Sequence, residues 1–216
     1  MKRRIFLTGL ATTALVATGV AVAPLAAQSE RSTWSIGPII KGKNRSHRMP
    51  ATMQPTREGA SFDFPYPTPR AGHVHYVTTR SGSLANAKRI VMRYRIDAAP
   101  GTRFVPEEDP HNQAVLSLYF QRAGDSWTMR TPRYRWYSPA NQLVPLTPGT
   151  HEIAIDMDEE WIAMTHEKRS AIPQDFRMAT ARAGTIGFTF GSASLRGHGV
   201  YATGPARFTL LDFRVE

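Results

Sequence analysis

The sequence of 216 residues contains no cysteine. This absence excludes a disulfide framework, a thiolate metal site, a cysteine nucleophile and a lipidated N-terminal cysteine. Acidic residues are also few, with 17 Asp and Glu against 27 Lys and Arg, so the net charge is +10. Long hydrophobic runs are missing after residue 30. Hydrophobic residues nevertheless make up 41% of the chain, which predicts a globular domain and excludes a disordered one.

The first thirty residues have the pattern of an export signal. Lys2, Arg3 and Arg4 are followed by an uncharged apolar stretch, and small residues at 24–27 suit signal peptidase. We expect a signal peptide of residues 1–27, cleaved after Ala27. Cleavage removes three basic residues and no acidic one, so the net charge of +10 becomes +7. An uncleaved anchor is the competing interpretation, but interspersed Thr and Gly make the run only mildly hydrophobic.

The route of export has two candidates. Arg3-Arg4 followed by Ile5-Phe6-Leu7 resembles the twin-arginine signal, although Lys2 stands where Ser or Thr is usual. The general secretory route therefore stays open. By either route we expect a periplasmic or extracellular protein without stable membrane insertion after signal cleavage.

The rest of the chain divides into an irregular lead-in, residues 28–60, and a single β-sandwich domain, residues 61–216. From Phe62 onward apolar residues recur with period two, which indicates half-buried antiparallel strands. In the last strand, the alternation places Thr209 and Leu211 on the apolar face, and the adjacent Leu210 allows a bulge. One helix is predicted after Pro173. The fold class is therefore all-β, an antiparallel jelly-roll β-sandwich with one short helix.

The second half of the chain also carries a family resemblance. Residues 146–153, Trp161, residues 185–191 and the closing Phe208-Thr209-Leu210-Leu211-Asp212-Phe213-Arg214-Val215 resemble, in this order, the galactose-binding-like jelly roll of carbohydrate-binding modules. The resemblance covers roughly residues 60 to 216, and no catalytic or calcium motif of such modules is matched. It implies non-catalytic binding of a glycan on a sheet face or at loop tips.

The segment 127–137 is the densest in aromatic and cationic residues. Sugar rings present apolar faces to aromatic rings and hydroxyls to polar side chains, so a binding face needs both. If Tyr134 and Trp136 point inward, their neighbours point outward onto a shared sheet face. The predicted ligand-binding residues are Arg93, Tyr119, Gln121, Trp127, Arg133, Arg135 and Tyr137. The alternative is that the aromatic residues are core and the arginines form a solvated face.

The positive charge suggests the kind of partner. A basic domain outside the membrane suits an acidic glycan, whereas export argues against nucleic acid. We therefore expect a carbohydrate partner. The more specific hypothesis is an acidic polysaccharide. The alternative to carbohydrate binding is a structural cell-envelope protein that binds no small ligand.

Metal sites and catalysis are the remaining candidates. His73-X-His75 places two imidazoles on one strand face, and a metal would need a third ligand such as His111 or His151. A structural calcium could take oxygens from Glu107-Glu108-Asp109 and Asn112, but no calcium-loop spacing is present, so we expect no cofactor. The alternative function is a glycan hydrolase or lyase. Its base and acid would come from these residues: His73, His75 or His198 with Tyr119 or Tyr137.

Overall fold

The computed structural model describes residues 33–216, so the predicted export signal lies outside the described residues. The segment after Pro173 forms helix α1 (Pro173–Ala181), as predicted. Proline suits this position because the first turn of a helix leaves its N–H groups without intrahelical partners. No helix of the described part of the chain is long and apolar enough to span a membrane.

The described chain forms sixteen strands, most of them short. In chain order they are β1 (Ser35–Gly37), β2 (Ile39–Ile40), β3 (Lys43–Asn44), β4 (Gln54–Pro55), β5 (Ala60–Asp63), β6 (Tyr76–Arg80), β7 (Arg89–Ala98), β8 (Phe104–Pro106), β9 (Val115–Arg122), β10 (Arg135–Tyr137), β11 (Val144–Pro145), β12 (Gly149–Asp156), β13 (Ile162–Ala163), β14 (Ala183–Gly191), β15 (Val200–Ala202) and β16 (Ala206–Val215).

Two antiparallel sheets pack face to face. The seven-stranded sheet has the order β1-β6-β14-β9-β10-β13, with β11 also paired to β9. The five-stranded sheet has the order β12-β7-β16-β5-β4, and two small ribbons pair β15 with β8 and β2 with β3. The predicted all-β jelly-roll sandwich with one short helix is confirmed.

Residues 33–60 are largely irregular, yet they contribute to both sheets. β1 pairs with β6 at an edge of the seven-stranded sheet, and β4 pairs with β5 at an edge of the other. The same segment supplies Ser46, whose hydroxyl donates to the Gly37 carbonyl at 2.6 Å and accepts from the backbone N–H of His75 at 2.8 Å. The lead-in therefore helps to fix the chain just before β6.

The inward faces of the two sheets meet in an aromatic core. The Phe208 ring stacks on Phe62, Tyr94 and Phe188, with centroid separations of 5.2, 5.1 and 5.1 Å. All four side chains are buried. Burial of each such side chain contributes about 1.5–3 kcal/mol relative to exposure, so this cluster is a main source of sandwich stability.

The bulge predicted in the last strand is present, but one of the predicted faces is wrong. The register of β16 shifts between Leu210 and Asp212. Before the shift, Phe208 and Leu210 belong to the core, and after it Phe213 packs against the core. Thr209 therefore faces away from the core, because the extra residue of the bulge reverses the alternation that holds at the end of the strand.

A buried hydroxyl in this core gives a test of its energetics. The Tyr94 hydroxyl has no hydrogen-bond partner among the described residues, and burial raises its pKa. We expect Tyr94→Phe to raise the free energy of unfolding by about 1 kcal/mol, because an unpaired buried hydroxyl costs about 1–3 kcal/mol. Burial also disfavours the ionised form of Tyr94, so the wild type loses additional stability above about pH 10, where the unfolded tyrosine ionises and the folded one does not. The variant should therefore also lose stability less steeply above pH 10.

Urea denaturation at pH 7 and at pH 10.5 measures both effects. Tyr66→Phe is the matched control, because the Tyr66 side chain is 47% exposed. Equal or lower stability of Tyr94→Phe relative to wild type would contradict the prediction.

Candidate functional site

The outer face of the seven-stranded sheet is covered instead of facing water. Tyr76 on β6, Tyr119 on β9 and Tyr137 on β10 alternate with core residues and therefore point outward, yet they are 6%, 0% and 5% exposed. The three rings pack together, and Trp127 and Met164 pack against them. We call these five residues the aromatic layer. A sheet face away from the core is ordinarily polar, so a buried aromatic layer there indicates a preformed binding site.

The hydroxyls of the aromatic layer are neutral. The Tyr76 and Tyr137 hydroxyls are 2.7 Å apart and share a hydrogen bond. Burial raises the pKa of Tyr76, Tyr119 and Tyr137 above the ordinary tyrosine value. The Tyr119 hydroxyl is buried with no partner among the described residues. These groups therefore act as uncharged hydrogen-bonding groups at neutral pH.

One buried carboxylate organises the layer. Asp125 accepts hydrogen bonds from Gln121 Nε2 at 2.7 Å, from the Trp127 backbone N–H at 3.0 Å and from the Thr131 hydroxyl at 2.7 Å. Arg135 Nε lies 3.0 Å from Asp125 Oδ2, in ion-pair range but at an angle that makes no hydrogen bond. The two side chains of this pair are 8% and 0% exposed. Asp125 thus joins two strands, β9 and β10, to the loop between them.

Trp127 sits at the tip of that loop in a strained conformation. Its φ of 58° lies in the left-handed region, which costs of order 1–3 kcal/mol for a residue other than glycine. The strain is offset by the Asp125 bond to its N–H and by ring contacts. The indole meets Tyr76 edge-on at 5.3 Å, and the Arg135 guanidinium lies 5.4 Å from its centroid. The loop therefore holds the indole over the sheet.

Two adjoining pockets open over the aromatic layer, with cavity volumes of about 280 and 140 Å³. Tyr137, Met164 and His198 line both of them, and we call the pair the twin pocket. Trp127, Tyr76 and Arg135 line the larger part. This size lies near the lower end of ligand sites, which suits the end of a sugar chain.

The wall of the twin pocket is a glycine-flanked loop that lies against the sheet. Gly197 and Gly199 have φ values of 76° and 100°. A Cβ at Gly197 would lie 2.3 Å from the Tyr76 hydroxyl oxygen, and one at Gly199 would lie 2.7 Å from His75 Nε2. Between them, His198 Nδ1 is 2.8 Å from Glu108. Only glycine at both positions lets this loop approach the sheet so closely.

Two arginines at the pocket have no acidic partner. Within residues 33–216, no carboxylate lies within 4.0 Å of Arg45 or Arg196. Half-buried Arg196 donates from Nη1 to the Ser138 carbonyl at 2.7 Å and from Nε to the Ala193 carbonyl at 3.3 Å. Its Nη2 has no acceptor in the described chain. Burial lowers the pKa of Arg196, so its charge is poorly compensated where it stands.

Other depressions of the surface lack this combination. A cavity of about 500 Å³ lies beside α1, and one of about 610 Å³ lies over β1 and β6. Both are larger than the twin pocket, but neither is lined by a tyrosine or a tryptophan. A third cavity, of about 460 Å³, has a single tyrosine, Tyr66, and its Arg207 is already paired with Asp63. We therefore take the twin pocket as the candidate site.

The predicted ligand-binding residues divide into two groups. Tyr119, Gln121, Trp127, Arg135 and Tyr137 lie together on the outer face of the seven-stranded sheet or over it.

Arg93 and Arg133 are not part of that group. The predicted grouping of Arg93 with Tyr119 is wrong, because Arg93 lies on β7 in the five-stranded sheet. Arg133 lies in a short 3₁₀ turn and pairs on the surface with Glu167 at 2.8 Å and Asp175 at 3.1 Å. Neither lines the twin pocket.

The predicted metal ligands are only partly brought together. His73 Nδ1 and His75 Nε2 are 2.7 Å apart, and the third group beside them is Glu107, instead of the predicted His111 or His151. His151 instead bonds the Thr147 carbonyl at 2.9 Å.

The four predicted calcium ligands are not gathered around one point. Glu107 faces His73, Glu108 pairs with His198, and Asp109 accepts from Asn112 at 2.7 Å and from Ser194 at 3.2 Å. Each carboxylate is therefore engaged with a separate neighbour.

Of the residues named for a catalytic alternative, His75, His198 and Tyr137 line the twin pocket, whereas His73 and Tyr119 do not. Burial lowers the pKa of His75 to about 3, and burial also lowers that of His73. Tyr119 is fully buried, whereas Tyr137 donates to or accepts from another tyrosine. Neutral tyrosines with raised pKa values suit hydrogen bonding to a ligand better than proton abstraction.

Sequence reasoning missed Tyr76, Asp125 and Arg196, and it named Glu107 only as a possible calcium ligand. Tyr76 could have been found, because it alternates with Val77 at the start of a predicted strand. The glycines at 197 and 199 were a further signal, since they mark a close approach of backbone to another group. Asp125 and Glu107 carry no local pattern that separates them from ordinary loop acids.

Comparisons with known proteins give distant structural matches only. No protein-family model matches the sequence, and a search of curated proteins finds no significant relative. Among solved structures, a xylan-binding module, CBM15, matches at 13% identity and TM-score 0.40, covering 83% of this chain and 91% of that one. A non-crystalline cellulose specific carbohydrate-binding module, CBM28, matches at 11% identity and TM-score 0.42, covering 85% and 87%.

A third match is Xylanase10C from Cellvibrio japonicus in complex with xylopentaose, at 13% identity and TM-score 0.36. It covers 83% of this chain and 27% of that one. Likeness at these values carries no conclusion about a ligand or an activity of this chain.

The buried Asp125–Arg135 pair gives a test of how the site is held. We expect Asp125→Ala to lower the free energy of unfolding by about 3–5 kcal/mol, because it leaves the Arg135 charge buried without its partner. Asp158→Ala is the matched control, since its exposed carboxylate has no ion pair in the described chain. Urea denaturation of both variants measures the difference. A loss below about 1 kcal/mol for Asp125→Ala would show that the carboxylate does not hold the loop.

Proposed function

We propose that this chain is an exported, non-catalytic carbohydrate-binding protein that holds an acidic sugar in the twin pocket. The observation that carries the proposal is Arg196, a half-buried guanidinium beside the aromatic layer with no acidic partner among the described residues. Export follows from the sequence pattern of residues 1–27 and would place the pocket where cell-wall or extracellular glycans occur.

The aromatic layer supplies the apolar half of sugar recognition. The C–H faces of a sugar ring pack on aromatic rings, and Trp127 and Tyr137 line the same pocket. The hydroxyls of Tyr76 and Tyr137 and the guanidinium of Arg135 stand beside those rings and can bond sugar hydroxyls. Because Asp125 and the core fix these groups before any ligand arrives, little ordering would be needed on binding.

The unpaired arginines supply the positive charge that would recognise an acidic sugar. A ligand carboxylate or sulfate could accept hydrogen bonds from Arg196 Nη2 and provide the counter-charge that the protein lacks there. Arg45 adds a second cation at the larger pocket. Arg135, in contrast, is already neutralised by Asp125. A uronic acid or a sulfated sugar at a chain end therefore suits the twin pocket better than a neutral sugar.

A glycan array followed by calorimetry on residues 28–216 tests this proposal. We expect acidic oligosaccharides to bind and their neutral counterparts to bind at least tenfold more weakly. Arg196→Gln should weaken the acidic ligand about tenfold or more, since a hydrogen-bonded charge pair contributes about 1.5–3 kcal/mol. Trp127→Ala should weaken every sugar that binds, because it removes the apolar surface.

The control is Arg93→Gln, which removes the same charge from the opposite sheet and should leave binding unchanged. Circular dichroism of each variant verifies the fold. Absence of binding to every acidic and neutral glycan on the array would overturn the proposal. Equal binding of the acidic ligand by Arg196→Gln and wild type would overturn it as well. New reducing ends in a glycan incubated with the protein would show that the protein cleaves it. Cleavage would then be the function instead of binding.

A further inference from the structure

A second constellation lies at the end of the sheet, beside the twin pocket. His73 and His75 precede β6 in an extended segment, so their side chains point to the same side, and their ring centroids are 4.8 Å apart. Glu107 follows β8, which pairs with β15. A bridge between Val74 and Val200 brings the two segments together. One nitrogen of each imidazole and one Glu107 oxygen then lie within 4.8 Å of one another.

The hydrogen bonds of His75 fix which of its nitrogens carries the proton. Its Nδ1 lies 2.8 Å from the Gly197 carbonyl oxygen, which can only accept, so Nδ1–H is the donor. His75 Nε2 consequently carries a lone pair, and that lone pair faces His73 Nδ1 at 2.7 Å. A histidine held through its far nitrogen by a backbone carbonyl is the ordinary arrangement for a metal ligand.

His73 therefore stands between two acceptors. On one side is the Nε2 lone pair of His75, and on the other is Glu107, 3.8 Å from His73 Nε2. A neutral imidazole has one N–H and can satisfy only one of them. With a neutral His73 the cluster holds more lone pairs than protons, and a cation bound there would supply the missing positive charge.

The chemistry of the donors selects the class of ion. Two imidazoles and one carboxylate, without thiolates, are a three-ligand set that Zn²⁺ uses while leaving a position open for water. Ca²⁺ and Mg²⁺ prefer an all-oxygen shell. His73 and Glu107 have side chains that are 14% and 27% exposed, so an ion can enter from solvent and Glu107 can turn to meet it.

We propose that His73, His75 and Glu107 form a binding site for a divalent transition-metal ion of the Zn²⁺ class. The fourth position of a tetrahedral ion would be left for water. His75 lines the larger part of the twin pocket, but His73 and Glu107 line neither part, so the metal site can be tested separately from sugar binding.

Titration of metal-free residues 28–216, prepared by dialysis against EDTA, tests the site. Calorimetry with Zn²⁺ should give one ion per chain, and Co²⁺ should give the visible absorption of a cobalt ion in nitrogen and oxygen coordination. We expect His75→Ala and His73→Gln each to weaken Zn²⁺ at least 100-fold, since loss of even an outer partner costs about 10–100-fold. Glu107→Gln should weaken it about tenfold or more.

His111→Ala is the matched control, because it removes an exposed imidazole outside the cluster and should leave the affinity unchanged. His75 is buried, so its variant could unfold; His73→Gln, at a partly exposed position, keeps the test decisive. Absence of saturable Zn²⁺ binding, or equal affinity in His73→Gln and wild type, would overturn the proposal. Sugar binding measured in EDTA separates this result from the function of the twin pocket.

Discussion

The buried carboxylate of Asp125 is the interaction on which the candidate site depends. It accepts three hydrogen bonds and forms one ion pair, and its partners lie on two strands and on the loop between them. Without it, the Arg135 charge would be buried unpaired and the strained backbone of Trp127 would lose its bond. The sandwich core sets the position of the strands, but this carboxylate sets the position of the indole above them.

Much of the fold follows from local patterns. The alternation in β7, β9 and β14 predicts which side chains enter the core, because a half-buried strand must keep its apolar residues on one side. Pro173 likewise predicts the start of α1. The pattern fails in β16, where one additional residue at the bulge changes which positions face inward, and the sequence shows only that a bulge is allowed there.

Less of the site could be predicted, because it is made by long-range pairing. Alternation places Tyr119 and Tyr137 outward, and it does the same for Arg93, but it does not tell which sheet a strand joins. Glu107 reaches His73 only because β8 pairs with β15, which is bridged to Val74 through Val200. Similarly, Asp125 is a loop acid in the sequence and becomes a buried anchor only when β9 and β10 pair around it.

The unpaired arginines at the twin pocket have a further consequence. Within residues 33–216 no carboxylate lies within 4.0 Å of Arg45 or Arg196, so their charge is not cancelled at short range. Such charge attracts a polyanion before the two molecules touch. The attraction makes encounters more frequent at low ionic strength and weakens as ionic strength rises.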